Sequence, residues 1–325
     1  MRRAVDASRA VLGTTSPNPP VGAVALDVIG QIVGIGATQP PGGPHAERVA
    51  LAQAGGRAHT VVVTLEPCNH TGRTGPCAQA LIDGGVSRVV VGCAEPTEQA
   101  GGGVQALRDG GVEVVTGILE AEVAAGPLQA WLHAQRTGRP FVTWKYAATL
   151  DGRSAALDGT SRWITGEAAR AEVHALRSQV DAVVVGIGTV LADDPQLTVR
   201  PDPGRQPLRV VLDTRGRAPL TAHVFDDTAP TWHVTGGLAL PAVLAELAAR
   251  GVVHVLLEGG PSLAAAFLRA GLVDAVRAYV APALLGAGAP AVGDLGITGI
   301  DGAARLQLLD VTRVGDDVRL DLRPC

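Results

Sequence analysis

The chain has 325 residues, is 46% apolar and carries a formal net charge of −4. That length suffices for two domains of ordinary size, each with its own core. With no apolar run near 18 residues, no segment is expected to span a membrane, and slight acidity with scattered arginines argues against a nucleic-acid surface. Small molecules are the expected partners. Aromatic residues make up only 3% of the chain, so alanine, glycine, valine and leucine must fill the cores.

The pattern at the start, MRRAVDASRAVLG, is helical and interrupted by Asp6, and so reads as a first helix over 4–13 rather than a signal peptide. Strands follow over 21–28 and 31–37, then a helix over 45–54 that Gly55 stops and a buried β-branched strand over 59–65. A helix over 77–83, a strand over 87–93, a helix over 103–110 and a strand over 112–115 continue the alternation. One long helix over 119–136 is expected to lead to the linker Thr137-Gly138-Arg139-Pro140. A hairpin followed by βαβ units implies a mixed sheet with helices on its faces. The domains are accordingly 1–139 and 140–325.

The second domain opens with a strand over 141–148, followed by a helix over 167–178 and strands over 181–186, 208–213 and 231–234. A helix over 241–250, a strand over 252–257, the Glu258-Gly259-Gly260 turn and a helix over 261–270 come next. Strands over 274–281, 306–314 and 317–323 end the pattern, the last two as a hairpin around Gly315-Asp316. This half is also α/β.

Chemistry concentrates first at His45, Glu47, Cys68 and Cys77, each beside a glycine or proline turn. One histidine and two cysteines can hold zinc in three positions and leave the fourth open, as in a hydrolytic site. Zinc would pull the pKa of a water there from 15.7 to about 7, and Glu47 could then shuttle the proton. Residues two apart on a helix diverge by roughly 200°, so His45 and Glu47 can share a site only if the metal sits over the helix end. The order His, Glu, Pro-Cys, Cys matches the zinc deaminase signature. The alternative is a structural metal site or a pair of buried thiols. Of the other two cysteines, Cys93 lies in an apolar strand and Cys325 is the last residue, so no disulfide pattern remains and a reducing cytoplasm is expected.

Eight residues separate the two cysteines, from Asn69 to Pro76, whereas ordinary nucleoside deaminases have two. With Ser16-Pro17-Asn18-Pro19-Pro20-Val21-Gly22 upstream, this loop resembles the deaminase half of the bifunctional riboflavin-biosynthesis deaminase/reductase family. In the second half, Lys145 to Arg153, Ser161-Arg162-Trp163-Ile164, Gly186 to Arg200 and the Glu258-Gly259-Gly260 turn resemble the family's reductase half. The turn alone is a strand, a glycine bend and a helix start whose free amides can hold a phosphate. It lacks GxGxxG, so it is not a Rossmann fingerprint.

The resemblance implies a cytidine-deaminase-like αβα domain followed by a dihydrofolate-reductase-like α/β domain that uses NADPH. It implies zinc-dependent hydrolytic deamination of a diaminopyrimidine ribosyl 5′-phosphate and then reduction of the ribosyl to a ribityl side chain. By position, His45, Cys68 and Cys77 would bind zinc with Glu47 as proton shuttle, and Asn18, His70 and Arg73 would meet the first substrate. Ala147, Trp163, Thr189, Asp193, Thr214 and the run Gly260, Pro261, Ser262, Leu263, Ala264, Ala265 and Ala266 would line NADPH. Ser161, Arg177, Leu197, Arg200 and Glu258 would line the reductase substrate. Trp163 and Leu197 could instead be core, and Arg177 a solvated charge. A homo-oligomer, dimer or tetramer, is expected.

The sequence departs from the family at Glu95-Pro96-Thr97-Glu98, where an Asp-Pro-Asn-Pro run is usual. The competing readings are another zinc deaminase fused to an unrelated reductase, and a zinc-stabilised binding module. Lys145 stands out without any family argument: 26 of the 27 basic residues are arginine and it is the only lysine. That suggests a position where a compact ammonium is required and a guanidinium is not tolerated.

Overall fold

The computed structural model describes residues 1–70, 75–200 and 204–325. Its contacts divide the chain into Met1–Arg139 and Pro140–Cys325. Both units are α/β with mixed sheets.

The first unit runs α1 (Arg2–Arg9), β1 (Gly22–Leu26), β2 (Ile32–Ala37), α2 (Ala46–Ala54), β3 (Thr60–Leu65), α3 (Cys77–Asp83), β4 (Arg88–Cys93), α4 (Gly103–Asp109), β5 (Glu113–Val115), α5 (Glu120–Ala124) and α6 (Gln129–Thr137). Its sheet has the order β2-β1-β3-β4-β5, antiparallel through β2, β1 and β3 and parallel from β3 to β5. Val61, Val63, Val89 and Val91 are buried to within 1% in that sheet, each worth about 1.5–3 kcal/mol on full burial. The long helix expected over 119–136 is instead two, because Gly126-Pro127 interrupts it and a proline ring cannot continue an α-helix.

Two glycines of β2 decide how closely α2 lies on the sheet. A Cβ at Gly34 would fall 2.2 Å from the Ala50 carbonyl oxygen, and one at Gly36 would fall 2.0 Å from that of Ala46. Only glycine lets the helix backbone settle there, and this packing fixes where His45 and Glu47 stand.

The second unit runs β6 (Phe141–Thr149), α7 (Glu167–Ser178), β7 (Ala182–Gly186), α8 (Ile187–Asp193), β8 (Leu208–Leu212), β9 (Thr231–Val234), α9 (Leu240–Ala249), β10 (His254–Leu257), α10 (Pro261–Arg269), β11 (Ala275–Ala281), β12 (Leu306–Val314) and β13 (Asp317–Pro324), with short 3-10 turns at His223–Phe225 and Ile300–Gly302. Its sheet has the order β12-β13-β11-β6-β10-β7-β8-β9. The six strands from β11 to β9 are parallel, and β13 and β12 complete the sheet antiparallel. The parallel strands are covered on both faces, which is why they read as continuous apolar runs rather than alternating ones. Val243, Leu244, Leu247, Ala264 and Phe267 pack one face, and Leu176, Val180, Val190 and Val224 pack the other.

Helix α8 was not expected. Its sequence, IGTVLAD, is short and opens with glycine, so neither periodicity nor a capping side chain marks it. Arg209 in β8 is fully buried; its guanidinium donates to Thr231 Oγ1 at 2.8 Å, to Asp226 Oδ1 at 2.8 Å and to the Gln196 and His223 carbonyls. A buried cation survives in a core only when paired and fully hydrogen-bonded in this way.

Candidate active sites

In the first unit, α2 and α3 begin side by side at the end of β3. His45 is the N-cap of α2, with φ −73° and ψ 162°. It therefore stands outside the helix, and the 200° divergence between helical residues two apart does not apply. Glu47, in the first turn, can face the same point. Cys77 is the first residue of α3, and its backbone N–H donates to Cys68 Sγ at 3.4 Å. That amide and the helix end favour a thiolate.

Cys68 Sγ lies 3.6 Å from His45 Nδ1, and Cys77 Sγ lies 3.3 Å from the same atom. All three ligand atoms fall within 4.8 Å of one another. Tetrahedral zinc, with bonds of ~2.3 Å to sulfur and ~2.0 Å to nitrogen, places sulfur and nitrogen about 3.5 Å apart. The donor set fits that metal in geometry and in charge. Hydrogen bonding from the Cys77 thiol, ahead of that from His45, holds the Cys68 thiol down to about 4, while that same bond, with burial, pushes the Cys77 thiol up. Two thiolates this close, Cys77 buried and Cys68 half-buried, become stable together only when a cation joins them.

Glu47 is 3% exposed, and burial, opposed by a backbone hydrogen bond, lifts its carboxyl to about 6. A carboxyl in that range can both take and return a proton near neutrality. Asn18 donates its backbone N–H to the Thr15 carbonyl, and His70 Nδ1 is buried with no hydrogen-bond partner among the described residues. Neither hydrogen-bonds the ligand trio. Arg73 lies outside the described residues. At the departure from the family, Glu95 Oε1 accepts from Thr97 N at 3.0 Å and Thr97 Oγ1 at 2.6 Å, so its side chain braces its own turn.

In the second unit the parallel strands bring their carboxyl ends together along one edge of the sheet. The chain leaves β6 for β7 and β8 on one side, then returns to insert β10 between β6 and β7. Open α/β sheets bind ligands at such a switch point. Glu258 follows β10, its N–H on the Val184 carbonyl of β7. Arg177 of α7 binds it at two points, Nε to Oε1 at 2.6 Å and Nη2 to Oε2 at 2.9 Å, and also donates to the Thr198 carbonyl at 3.3 Å. Lys145, on β6, is near enough to both for its pKa to respond: burial lowers it, Glu258 raises it and Arg177 lowers it, with a net fall. Among the described residues its ammonium makes no hydrogen bond or ion pair. Arg177 is thus not a solvated charge.

Gly260 caps α10 without a side-chain hydrogen bond, and a Cβ built on it would lie 3.8 Å from Thr189 Oγ1. A Cβ on Gly188 would meet nothing within 4 Å. Along the run from Gly260 to Ala266 the side chains differ in burial. Ala264 and Ala265 are buried to within 1% and Leu263 packs on the core, while the Leu263 and Ala264 amides already donate to the Gly260 carbonyl. The amides of Gly260 and Ser262 are the donors that suit a phosphate.

The Leu197 side chain is 3% exposed within the core beside Leu176 and Val211, and its backbone has φ +57°. Asp193 Oδ1 accepts from Ser161 Oγ at 3.1 Å, and its carbonyl accepts from Arg162. Trp163 is 69% exposed rather than core, with the guanidinium of Arg170 4.5 Å and that of Arg162 5.8 Å from its ring centroid. No sequence spacing announced those two arginines. Ala147 packs against Ala169, Val173 and Tyr279, Thr214 is exposed just beyond β8, and Arg200 is exposed.

Residues 140–320 match the family model described as RibD C-terminal domain, and residues 1–93 match that of the cytidine and deoxycytidylate deaminase zinc-binding region. The riboflavin biosynthesis protein RibD of Mycobacterium tuberculosis (strain H37Rv) is 52% identical over 328 residues, covering 99% of this chain and 96% of that protein. That of Escherichia coli (strain K12) is 38% identical over 360 residues, covering 99% and 98%. The crystal structure of a diaminohydroxyphosphoribosylaminopyrimidine deaminase/5-amino-6-(5-phosphoribosylamino)uracil reductase from Thermotoga maritima aligns with a TM-score of 0.94 at 35% identity, covering all of this chain and 97% of that one. Acinetobacter baumannii RibD, form 1, aligns at 0.91 with 40% identity over the same shares. The first unit is a cytidine-deaminase-like αβα domain and the second an α/β domain of the RibD C-terminal type. On sequence and fold together, the chain belongs to the RibD family of bifunctional riboflavin-biosynthesis deaminase/reductases.

Proposed function

We propose that residues 1–139 carry a zinc-dependent pyrimidine deaminase and residues 140–325 an NADPH-dependent reductase, acting in that order. The chain is an enzyme of riboflavin biosynthesis with both activities. Its first substrate is 2,5-diamino-6-ribosylamino-4(3H)-pyrimidinone 5′-phosphate, and the deaminated product is reduced from ribosyl to ribityl; the Thermotoga relative is named as a diaminohydroxyphosphoribosylaminopyrimidine deaminase and 5-amino-6-(5-phosphoribosylamino)uracil reductase. The observation that carries the reading is the trio His45, Cys68 and Cys77 beside the buried Glu47.

When bound, zinc supplies Lewis-acid activation of water. His45, Cys68 and Cys77 would hold it, His45 and Cys77 from the starts of two helices and Cys68 from the loop after β3. Glu47 takes a proton from the attacking water and delivers one to the departing amine, a task suited to a carboxyl near 6. His70, Asn18 and Arg73 are the candidates for orienting the pyrimidine phosphate. In the second domain NADPH supplies hydride. The amides of Gly260 and Ser262, with Thr189, Thr214, Ala147 and Trp163, would hold the cofactor. Lys145, next to the Arg177–Glu258 pair, positions the substrate for transfer, with Ser161 and Arg200 alongside.

No helix of the described residues is long and apolar enough to cross a membrane. All four cysteines are free, which supports a reducing, cytoplasmic setting. A homo-oligomer is supported by β12, which lies at the sheet edge with Leu308, Leu309 and Val311 each more than half exposed; an apolar edge strand invites a second copy. Incubating the purified chain with the diaminopyrimidine phosphate, with and without NADPH, tests the reading. Ammonia should appear in both reactions and NADPH oxidation only with cofactor present; release of no ammonia would end it.

A further inference from the structure

NADPH differs from NADH by one phosphate, and the carboxyl edge of the sheet places the side chains that read it. Along the carboxyl edge the strands follow β6, β10, β7 and β8, about 4.8 Å apart. Lys145 and Glu258 mark the substrate end at β6 and β10, and the free amides of Gly260 and Ser262 mark the pyrophosphate. A dinucleotide continuing in the same direction brings its adenosine over the end of β8, roughly 10 Å from β10. There the sequence is Asp213-Thr214-Arg215-Gly216-Arg217.

The acid of this turn faces inward. Asp213 is fully buried, and its Oδ2 accepts from the Ala218 N–H at 2.8 Å and from His233 Nε2 at 3.1 Å. Gly216 closes the turn at φ +63°, donating to the Asp213 carbonyl at 3.1 Å. Arg215 and Arg217 are left exposed, and among the described residues neither side chain has a hydrogen bond or ion pair. The other arginines near this edge are engaged: Arg177 with Glu258, Arg162 with Asp193, Arg170 with the Thr165 carbonyl, and Arg209 inside the core. Arg200 makes no side-chain hydrogen bond or ion pair among the described residues, but its field reaches His174 on α7, at the substrate end.

We propose that Arg215 and Arg217, flanking Thr214, bind the 2′-phosphate of NADPH and set the preference for it over NADH. Planar guanidinium groups on a braced turn match phosphate oxygens in geometry and charge. The proposal rests on the reductase reading above.

Calorimetric titration of the full chain with adenosine 2′,5′-bisphosphate and with adenosine 5′-monophosphate tests both separately. The wild-type chain should bind the bisphosphate at least tenfold more tightly; equal affinity for the two would overturn the NADPH reading itself. In R215A/R217A the ratio should fall at least tenfold with monophosphate affinity unchanged, and the ratio of kcat/KM for NADPH to that for NADH should fall with it. A double variant that keeps the wild-type ratio, or a remote R305A that lowers it as much, would overturn the arginine assignment.

Discussion

Arg177 and Glu258 meet as a two-point ion pair, at 2.6 and 2.9 Å, with side chains only 12% and 9% exposed. They come from α7 and from the turn after β10, so the pair ties a surface helix to the carboxyl edge of the sheet. Arg177→Met leaves a buried carboxylate unpaired and should cost about 3–5 kcal/mol. Arg177→Met with Glu258→Gln together should recover part of that. Burial alone would raise the Glu258 carboxyl, but Arg177 overrides it and the net shift is downward. A double-mutant cycle on thermal unfolding measures the coupling, and strictly additive losses would contradict it.

Zinc should bind at one ion per chain. Cys77→Ser replaces a thiolate with a hydroxyl that does not ionise near neutral pH, so it should lose the metal and loosen the first domain. Metal analysis of the purified variant decides this, and full occupancy would remove Cys77 from the ligand set.

Glu47→Gln keeps the size of the side chain and removes its proton chemistry. It should retain zinc and lose deamination by two or more orders of magnitude. Reduction of a supplied, already deaminated substrate should continue. Normal deamination in this variant would make Glu47 structural.

Lys145→Arg preserves charge and changes shape. Reductase kcat/KM should fall at least about tenfold, or about 1.4 kcal/mol, with deamination untouched. A solvated charge would tolerate the swap at under about 0.5 kcal/mol, so wild-type kinetics would return Lys145 to the background.

His254 opens β10, where burial, opposed by Asp181, depresses its pKa to about 4. The unfolded chain holds it near 6.5, so from about 6.5 down to about 4 the unfolded state binds the extra proton. The neutral imidazole therefore contributes stability that is present above about 6.5 and is lost as pH falls toward 4, by up to about 3 kcal/mol. His254→Leu should show a smaller drop in urea midpoint between pH 7 and pH 5 than the wild type. An equal drop would place the pH dependence elsewhere.

Much of this enzyme was legible in its residues. The order of elements followed from β-branched runs and glycine stops, and the proposed zinc ligands from one histidine and two cysteines beside glycine or proline turns. Residue chemistry determines those features locally. Lys145 was visible because composition singled it out. What sequence left open was decided by packing. Spacing alone set His45 against Glu47, and the extended N-cap backbone of His45 removed that conflict. Arg177 could have been solvated until β10 brought Glu258 to it. The side chains of Leu197, Ala264 and Ala265 lie in the core, which their letters did not announce. Gly126-Pro127 divided one expected helix, and α8 formed without a cap or an amphipathic period because β7 and the apolar face of Ile187 and Val190 hold it. Local propensity writes helices, strands and metal ligands into the chain. Which side chains meet across the carboxyl edge of the sheet depends on strand order, which only the folded chain fixes.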